Sequence, residues 1–187
     1  MLTEEAFLNP EIDFVNRRIQ VISDLGLIFA NLMLVTGSVA TIFWSTGSLY
    51  KALCFADDVD CLLKSGLEPE DRHRFFQFMK YMETVDQSIF IDAQWLYNAF
   101  TEEQFGRAAE IIVNGVVIKL MHYEDVIRAK IQIIQSIISG EVTSPKKSLA
   151  KHIKQLEDLL NAHWPSLLPD DLIDQGKKLT QPQPVKN

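Results

Sequence analysis

The spacing of apolar positions changes along the chain, and each change marks an element. From residue 11 to 30, Ile12, Val15, Ile19, Ile22 and Ile28 recur near the helical period, with Arg17, Arg18 and Asp24 off that stripe. This predicts a helix. Leu32 to Val35 is a short apolar run ahead of Gly37 and predicts a buried strand. Val39 to Trp44 predicts a short second helix, and Ser45 to Leu49 a Ser/Thr/Gly loop. From Phe55 to Leu63 the period drops to two. Val59, Cys61 and Leu63 alternate with Asp58, Asp60 and Leu62, the pattern of a strand with acidic side chains on one face. Glu68 to Thr84 predicts a helix that packs through Phe75, Phe76, Phe78, Met79 and Met82. Pro69 stands near its start, where a missing amide is tolerated.

Ser88 to Leu96 alternates again, with Ile89, Ile91, Ala93 and Trp95 set against Phe90, Asp92 and Gln94. Ala108 to Val113 and Val116 to Met121 flank Asn114-Gly115, a strong hairpin signal because both central positions of the turn need positive φ. Tyr123 to Ile138 predicts a helix closed by Gly140. Ser144-Pro145 is suited to cap and start the next one, in which Leu149, Ile153, Leu156 and Leu160 form a stripe. The order is helix, strand, helix, strand, helix, strand, hairpin and two helices. It predicts an α+β fold whose sheet is covered by helices on at least one face. Residues 1–175 form the expected domain and 176–187 a loose tail.

Composition narrows the function classes. The 187 residues are 47% hydrophobic and 23% charged, which excludes a disordered chain and suits one domain with a real core. Eighteen basic residues against twenty-five acidic ones leave a net charge of -7, so long duplex DNA is not an expected partner. Cys54 and Cys61 make neither a disulfide scaffold nor a four-ligand metal site. They fit a reducing compartment and a cytoplasmic location, with a single disulfide left open. Met1 to Asp13 carries Glu4, Glu5 and Glu11 and no basic residue, so no signal peptide is expected. Residues 25–50 hold no charged side chain and are long enough to cross a bilayer. Asn31, Thr36, Ser38, Thr41 and the Thr36-Gly37-Ser38 break favour instead a helix end, a buried strand and a second helix, so membrane insertion is not expected.

Three features carry candidate chemistry. Gly37-Ser38 follows an expected strand and opens an expected helix. Glycine admits close approach of a ligand, and free amides at the helix start favour an anion such as phosphate. The plain alternative is a simple strand-to-helix turn. Asp58 and Asp60 stand two apart on an expected strand and so share a face. Clustered carboxylates need a cation or a hydrogen-bond network, and Mg²⁺ accepts one or two carboxylates plus substrate phosphates. A solvated acidic strand end, with Asp57 beside them, explains the same residues. Asp92, on the next expected strand, can complete a three-carboxylate site; an edge-strand aspartate is the alternative. His73, His122, His152 and His163 show no zinc spacing. His122 stands where it can cap a helix or line a cleft, with packing or surface use as the plainer reading. Trp44, Trp95 and Trp164 read as packing residues.

Taken in order, Gly37-Ser38, Asp58-Val59-Asp60 and Asp92 resemble the nucleotidyltransferase superfamily, in particular its small bacterial members in abortive-infection and toxin–antitoxin systems. Gly37 and Asp58 are 21 positions apart, close to the family's interval. The downstream VVIKLMHYEDVIRAKI and KKSLAKHIKQLEDLL are similar to the family's strand, lysine-bearing helix and last helix, with Lys130 at the lysine position and Asp158 at an aspartate position. The resemblance spans residues 20–160. It departs from the family before the aspartate pair, where relatives carry an arginine and a threonine and this chain has Ala56-Asp57.

The resemblance implies a mixed sheet flanked by helices, with further helices at the C-terminal end. It implies that Asp58, Asp60 and Asp92 hold Mg²⁺, or Mn²⁺ in its place, and that Gly37, Ser38 and Lys130 contact the phosphates of a nucleoside triphosphate such as ATP. The implied reaction is transfer of a nucleoside monophosphate to a protein, RNA or small-molecule acceptor. The competing expectation is a noncatalytic immunity, antitoxin or adaptor protein.

Overall fold

The computed structural model describes residues 10–29, 32–56, 58–64, 67–85, 100–141, 148–162, 164 and 168–181. In chain order these residues form α1 (Pro10–Phe29), β1 (Met33–Val35), α2 (Gly37–Thr46), α3 (Leu49–Phe55), β2 (Cys61–Leu63), α4 (Pro69–Val85), α5 (Glu102–Arg107), β3 (Ala109–Val113), β4 (Val116–Leu120), α6 (Tyr123–Ser139), α7 (Leu149–Leu160) and α8 (Asp170–Thr180). The fold is α+β. The sheet is mixed, in the order β2-β1-β4-β3, with β1 parallel to β4 and the two outer strands antiparallel to their neighbours.

β1 is central and all three of its residues are buried, which is why it reads as an unbroken apolar run. The β3–β4 hairpin turns on Asn114 at φ 49° and Gly115 at φ 78°, as the Asn-Gly pair predicts. Its Val116 and Ile118 side chains pack on α1 at Gly26, where a Cβ would stand 2.0 Å from Ile118 Cδ1. Among the described residues no helix is long and apolar enough to cross a membrane. The uncharged stretch divides among the end of α1, β1, α2 and the start of α3.

Several expectations change. The segment from Phe55 to Leu63 is not one strand. Ser48 caps a seven-residue helix, accepting a hydrogen bond from the Lys51 amide, and α3 is too short to leave a periodic signal. Only Cys61–Leu63 joins the sheet, so Asp58 and Asp60 precede the strand. The alternation survives as burial of Val59, Cys61 and Leu63. α7 starts behind Ser148, whose side chain accepts from the Lys151 amide. Ser144-Pro145, the expected cap, lies outside the described residues, as does the extended run from Ser88 to Leu96 with Asp92. The expected tail is helical at its start, because α8 continues to Thr180 and buries Leu172 and Gly176. Cys54 and Cys61 are free thiols; burial, and then the neighbouring Asp60 charge, pushes the Cys61 thiol up.

The stripe on α1 also differs from expectation. Its buried stripe runs through Val15, Arg18, Ile22, Leu25 and Phe29, with Val21, Ser23 and Gly26 buried beside it, while Ile28 is exposed. The intervals of three and four residues define one helix face, and Arg18 occupies a core position on it. Its Nη1 donates to the carbonyls of Leu53 at 2.8 Å and Ala56 at 2.7 Å, and its guanidinium lies 4.1 Å from the Phe14 ring centroid. A cation at the C-terminal end of α3 meets the negative end of the helix dipole and satisfies carbonyls that have no partner within the helix. Replacing Arg18 with leucine leaves both carbonyls buried without that donor. The expected cost is roughly 2–6 kcal/mol, from about 1–3 for each lost partner. Urea unfolding should show the loss as a lower midpoint at unchanged m-value.

α6 is tied to its neighbours through Tyr123. The ring is fully buried, and its hydroxyl donates to the Leu159 carbonyl at the end of α7. Burial raises the phenol from 10.0 to about 12. The folded chain therefore holds this proton where the unfolded chain has released it, and stability falls as pH rises between those values. Tyr123→Phe should remove that part of the alkaline slope, read by comparing unfolding free energies of the two proteins from pH 9 to pH 11.

Candidate functional site

The ends of the strands bring the candidate residues together. Gly37 and Ser38 are the first residues of α2, immediately past β1. Asp60 is the last residue before β2, and its carbonyl accepts from the Thr36 amide at 2.9 Å, which continues the β1–β2 pairing toward α2. Gly37 has φ 63°, and a Cβ placed on it would stand 1.6 Å from Asp60 Oδ2. The carboxylate thus occupies the space that any side chain at position 37 would need. Ser38 Oγ lies 3.3 Å from both the carbonyl and Oδ1 of Asp58, and its one hydroxyl proton serves one of them at a time. Both aspartates therefore reach the opening residues of α2.

The helix start favours negative charge. Thr36, the N-cap residue, makes no side-chain bond to the amides of the first turn. Its hydroxyl donates to Met121 Sδ at 3.1 Å instead. Amides of that turn and the positive end of the helix dipole face the region of the aspartates.

A cleft of about 530 Å³ opens there, with Gly37, Ser38 and Asp60 on one side and Asp125, Lys130 and His152 on the other. Its size lies within the usual range for small-ligand sites. Asp125 and Lys130 belong to α6 and His152 to α7, and all three are buried. Lys130 Nζ donates to Gln155 Oε1 at 2.8 Å. Asp125 accepts from Arg107 Nη2 at 2.8 Å. Burial raises the Asp125 carboxyl, opposed by the Arg107, His122 and Arg128 charges and assisted by that of Glu124. Ionisable groups buried along a cleft mark a site worth testing. A smaller hollow is lined, among the described residues, by Leu67, Pro69, Arg72, His73 and Phe76, none of them a carboxylate.

Of the residues singled out in the sequence, Gly37, Ser38, Asp60 and Lys130 line one cleft, and Asp58 joins it through Ser38. Asp92 lies outside the described residues. Asp158 is on the exposed side of α7, paired with Lys154 at 2.8 Å, and does not line the cleft. His122 caps α6, its Nδ1 accepting from the Glu124 amide at 3.4 Å. The cleft residues Asp125, His152 and Gln155 were not singled out for chemistry. Asp125 alone carries a local signal, an acidic residue in the first turn of a helix.

Among the described residues no group of three or more His, Cys, Asp or Glu side chains comes together as a metal site. Asp58 and Asp60 are oxygen donors of the type that Mg²⁺ takes, one or two carboxylates with water or substrate oxygens beside them. The cradle at Gly37 admits one of these carboxylates and would exclude it if a Cβ were present.

Comparison with known proteins gives no identification: no family model, curated protein or solved structure matches the chain.

Gly37→Ala tests the cradle directly. Alanine at this φ carries about 1–2 kcal/mol of backbone strain, and its Cβ displaces Asp60. Thermal unfolding followed by circular dichroism should shift to lower temperature than in wild type.

Proposed function

We propose that the cleft binds a nucleoside triphosphate together with a divalent cation and transfers the nucleoside monophosphate to an acceptor, in the manner of a nucleotidyltransferase. The reading rests above all on the seating of the Asp60 carboxylate against Gly37 at the start of α2, with Ser38 holding Asp58 beside it. Asp58 and Asp60 would hold Mg²⁺ or Mn²⁺. Such an ion, when bound, supplies charge neutralisation at the transferred phosphoryl group. The amides that open α2 offer hydrogen bonds to phosphate oxygens. Lys130, buried and held by Gln155, offers a fixed positive charge to the same ligand. Asp92 is the proposed third carboxylate from its place in the sequence and from the resemblance. The acceptor, whether protein, RNA or small molecule, contributes the attacking group, and pyrophosphate leaves.

Isothermal calorimetry with ATP, GTP, CTP and UTP, in Mg²⁺ and in Mn²⁺, tests this reading. Wild type should bind at least one of them saturably, and the Asp58→Ala/Asp60→Ala variant should lose that binding while keeping its circular dichroism spectrum. A folded wild type that binds none of the four would overturn it in favour of a noncatalytic immunity, antitoxin or adaptor role.

A further inference from the structure

The wall of the cleft opposite Gly37 is built from two helices. Val126, Ala129, Lys130 and Ile133 line it from α6, and Lys151, His152 and Gln155 line it from α7. Intervals of three and four residues put each set on one helix face. Lys130 Nζ donates to Gln155 Oε1 at 2.8 Å and bridges the two helices.

That bond orients the glutamine. An ammonium group only donates, so it faces the oxygen of the carboxamide and never its nitrogen. The two ends of the amide cannot be exchanged. The amide's own geometry then keeps Nε2 within about 5 Å of Lys130 Nζ. Nε2 makes no hydrogen bond among the described residues and is not sealed from water. Gln155 is only partly buried and lines the cleft. A donor of fixed orientation thus stands beside a tethered cation. Water satisfies it in the free protein, and a ligand that displaces this water must bring an acceptor.

The neighbours select the acceptor. Lys130 and Lys151 both put positive charge on this wall. The carboxylate that α6 brings to the cleft, Asp125, stands five residues before Lys130, about 7.5 Å back along the helix axis. An anionic oxygen is favoured there over a cation. Donors within about 5 Å of each other match two oxygens of one phosphate or of adjoining phosphates, and bonds to a charged acceptor are stronger than bonds to a neutral carbonyl.

We propose that Gln155 Nε2 is a second phosphate donor of the site: with Lys130 Nζ it grips the triphosphate chain at two points, and Lys130 sets its direction. The proposal rests on the nucleotide reading above. It assigns this part of the α6–α7 wall to the phosphates and gives the lysine–glutamine bond a use beyond joining two helices.

Two measurements on the full chain test it, with inorganic tripolyphosphate in Mg²⁺ as the probe beside the tightest binder of the four nucleoside triphosphates. The first is calorimetry on Gln155→Met, which keeps the length of the side chain and removes the amide. Both ligands should bind about tenfold or more weakly than to wild type, the worth of one charge-assisted hydrogen bond. The second follows the side-chain amide protons of Gln155 in wild type by ¹H–¹⁵N NMR. Their signals are identified by their absence from Gln155→Met, or from Gln155→Glu if the methionine variant does not fold, in which case the titration of wild type decides. Tripolyphosphate should move this pair downfield. If it binds too weakly to saturate, the nucleoside triphosphate is compared with its nucleoside instead.

Unchanged affinity in Gln155→Met overturns the proposal. So does a Gln155 pair that stays in place when wild type is saturated, because the glutamine then acts only through Lys130. A pair that moves with the nucleoside alone assigns Gln155 to the base or sugar and overturns it as well. Any of these results, with triphosphate binding still lost in Asp58→Ala/Asp60→Ala, removes this inference and leaves the functional reading standing. A wild type that binds no nucleoside triphosphate removes both.

Discussion

The cleft depends on one close approach. Gly37 turns the chain from β1 into α2 at positive φ, and the missing Cβ makes room for the Asp60 carboxylate. Two constraints coincide at this residue, backbone conformation and space, and glycine alone meets both. The Thr36 amide bonded to the Asp60 carbonyl sets the register that delivers the carboxylate there. Ser38 then draws in Asp58. The start of α2, the end of β1 and the entry to β2 are therefore one unit.

Arg18 anchors that unit from behind. It binds carbonyls at the end of α3, directly before the segment that carries Asp58 and Asp60. A buried guanidinium is expensive unless its donors are used, and here it offsets its desolvation by capping a helix whose end is also buried. α1, α3 and the aspartate segment are held together by this side chain, so the placement of the carboxylates depends on a residue in the first helix. The opposite wall is built separately. Tyr123 joins α6 to α7, and Lys130 and Gln155 join the same helices through a second bond.

The two walls differ in chemistry. One offers carboxylates and a helix N-terminus, the other a buried lysine, histidine and aspartate. With no matching relative, the functional reading stands on this geometry and on the order of short motifs.

Much of the fold was legible because its signals are local. The Asn114-Gly115 turn, the apolar run at β1, the helix opening at Gly37 and the stripe of α6 each depend on residues adjacent in sequence. Gly37, Ser38, Asp58 and Asp60 could be singled out from the sequence because they stand where an expected strand meets an expected helix and where carboxylates cluster, although a plain turn and a solvated acidic strand end explained the same letters; Lys130 followed from resemblance. The sequence did not disclose that Asp58 and Asp60 precede β2, because alternation marks which side chains are buried and not where ladder hydrogen bonds begin. It hid α3, whose seven residues are shorter than two helical repeats. It also placed Arg18 on the wrong side of α1, since charge argues for solvent until a set of buried carbonyls is known to face it. The placement of Arg18, Asp125 and His152 was decided only by tertiary structure, because each depends on partners or walls far away in the chain that folding alone brings within reach.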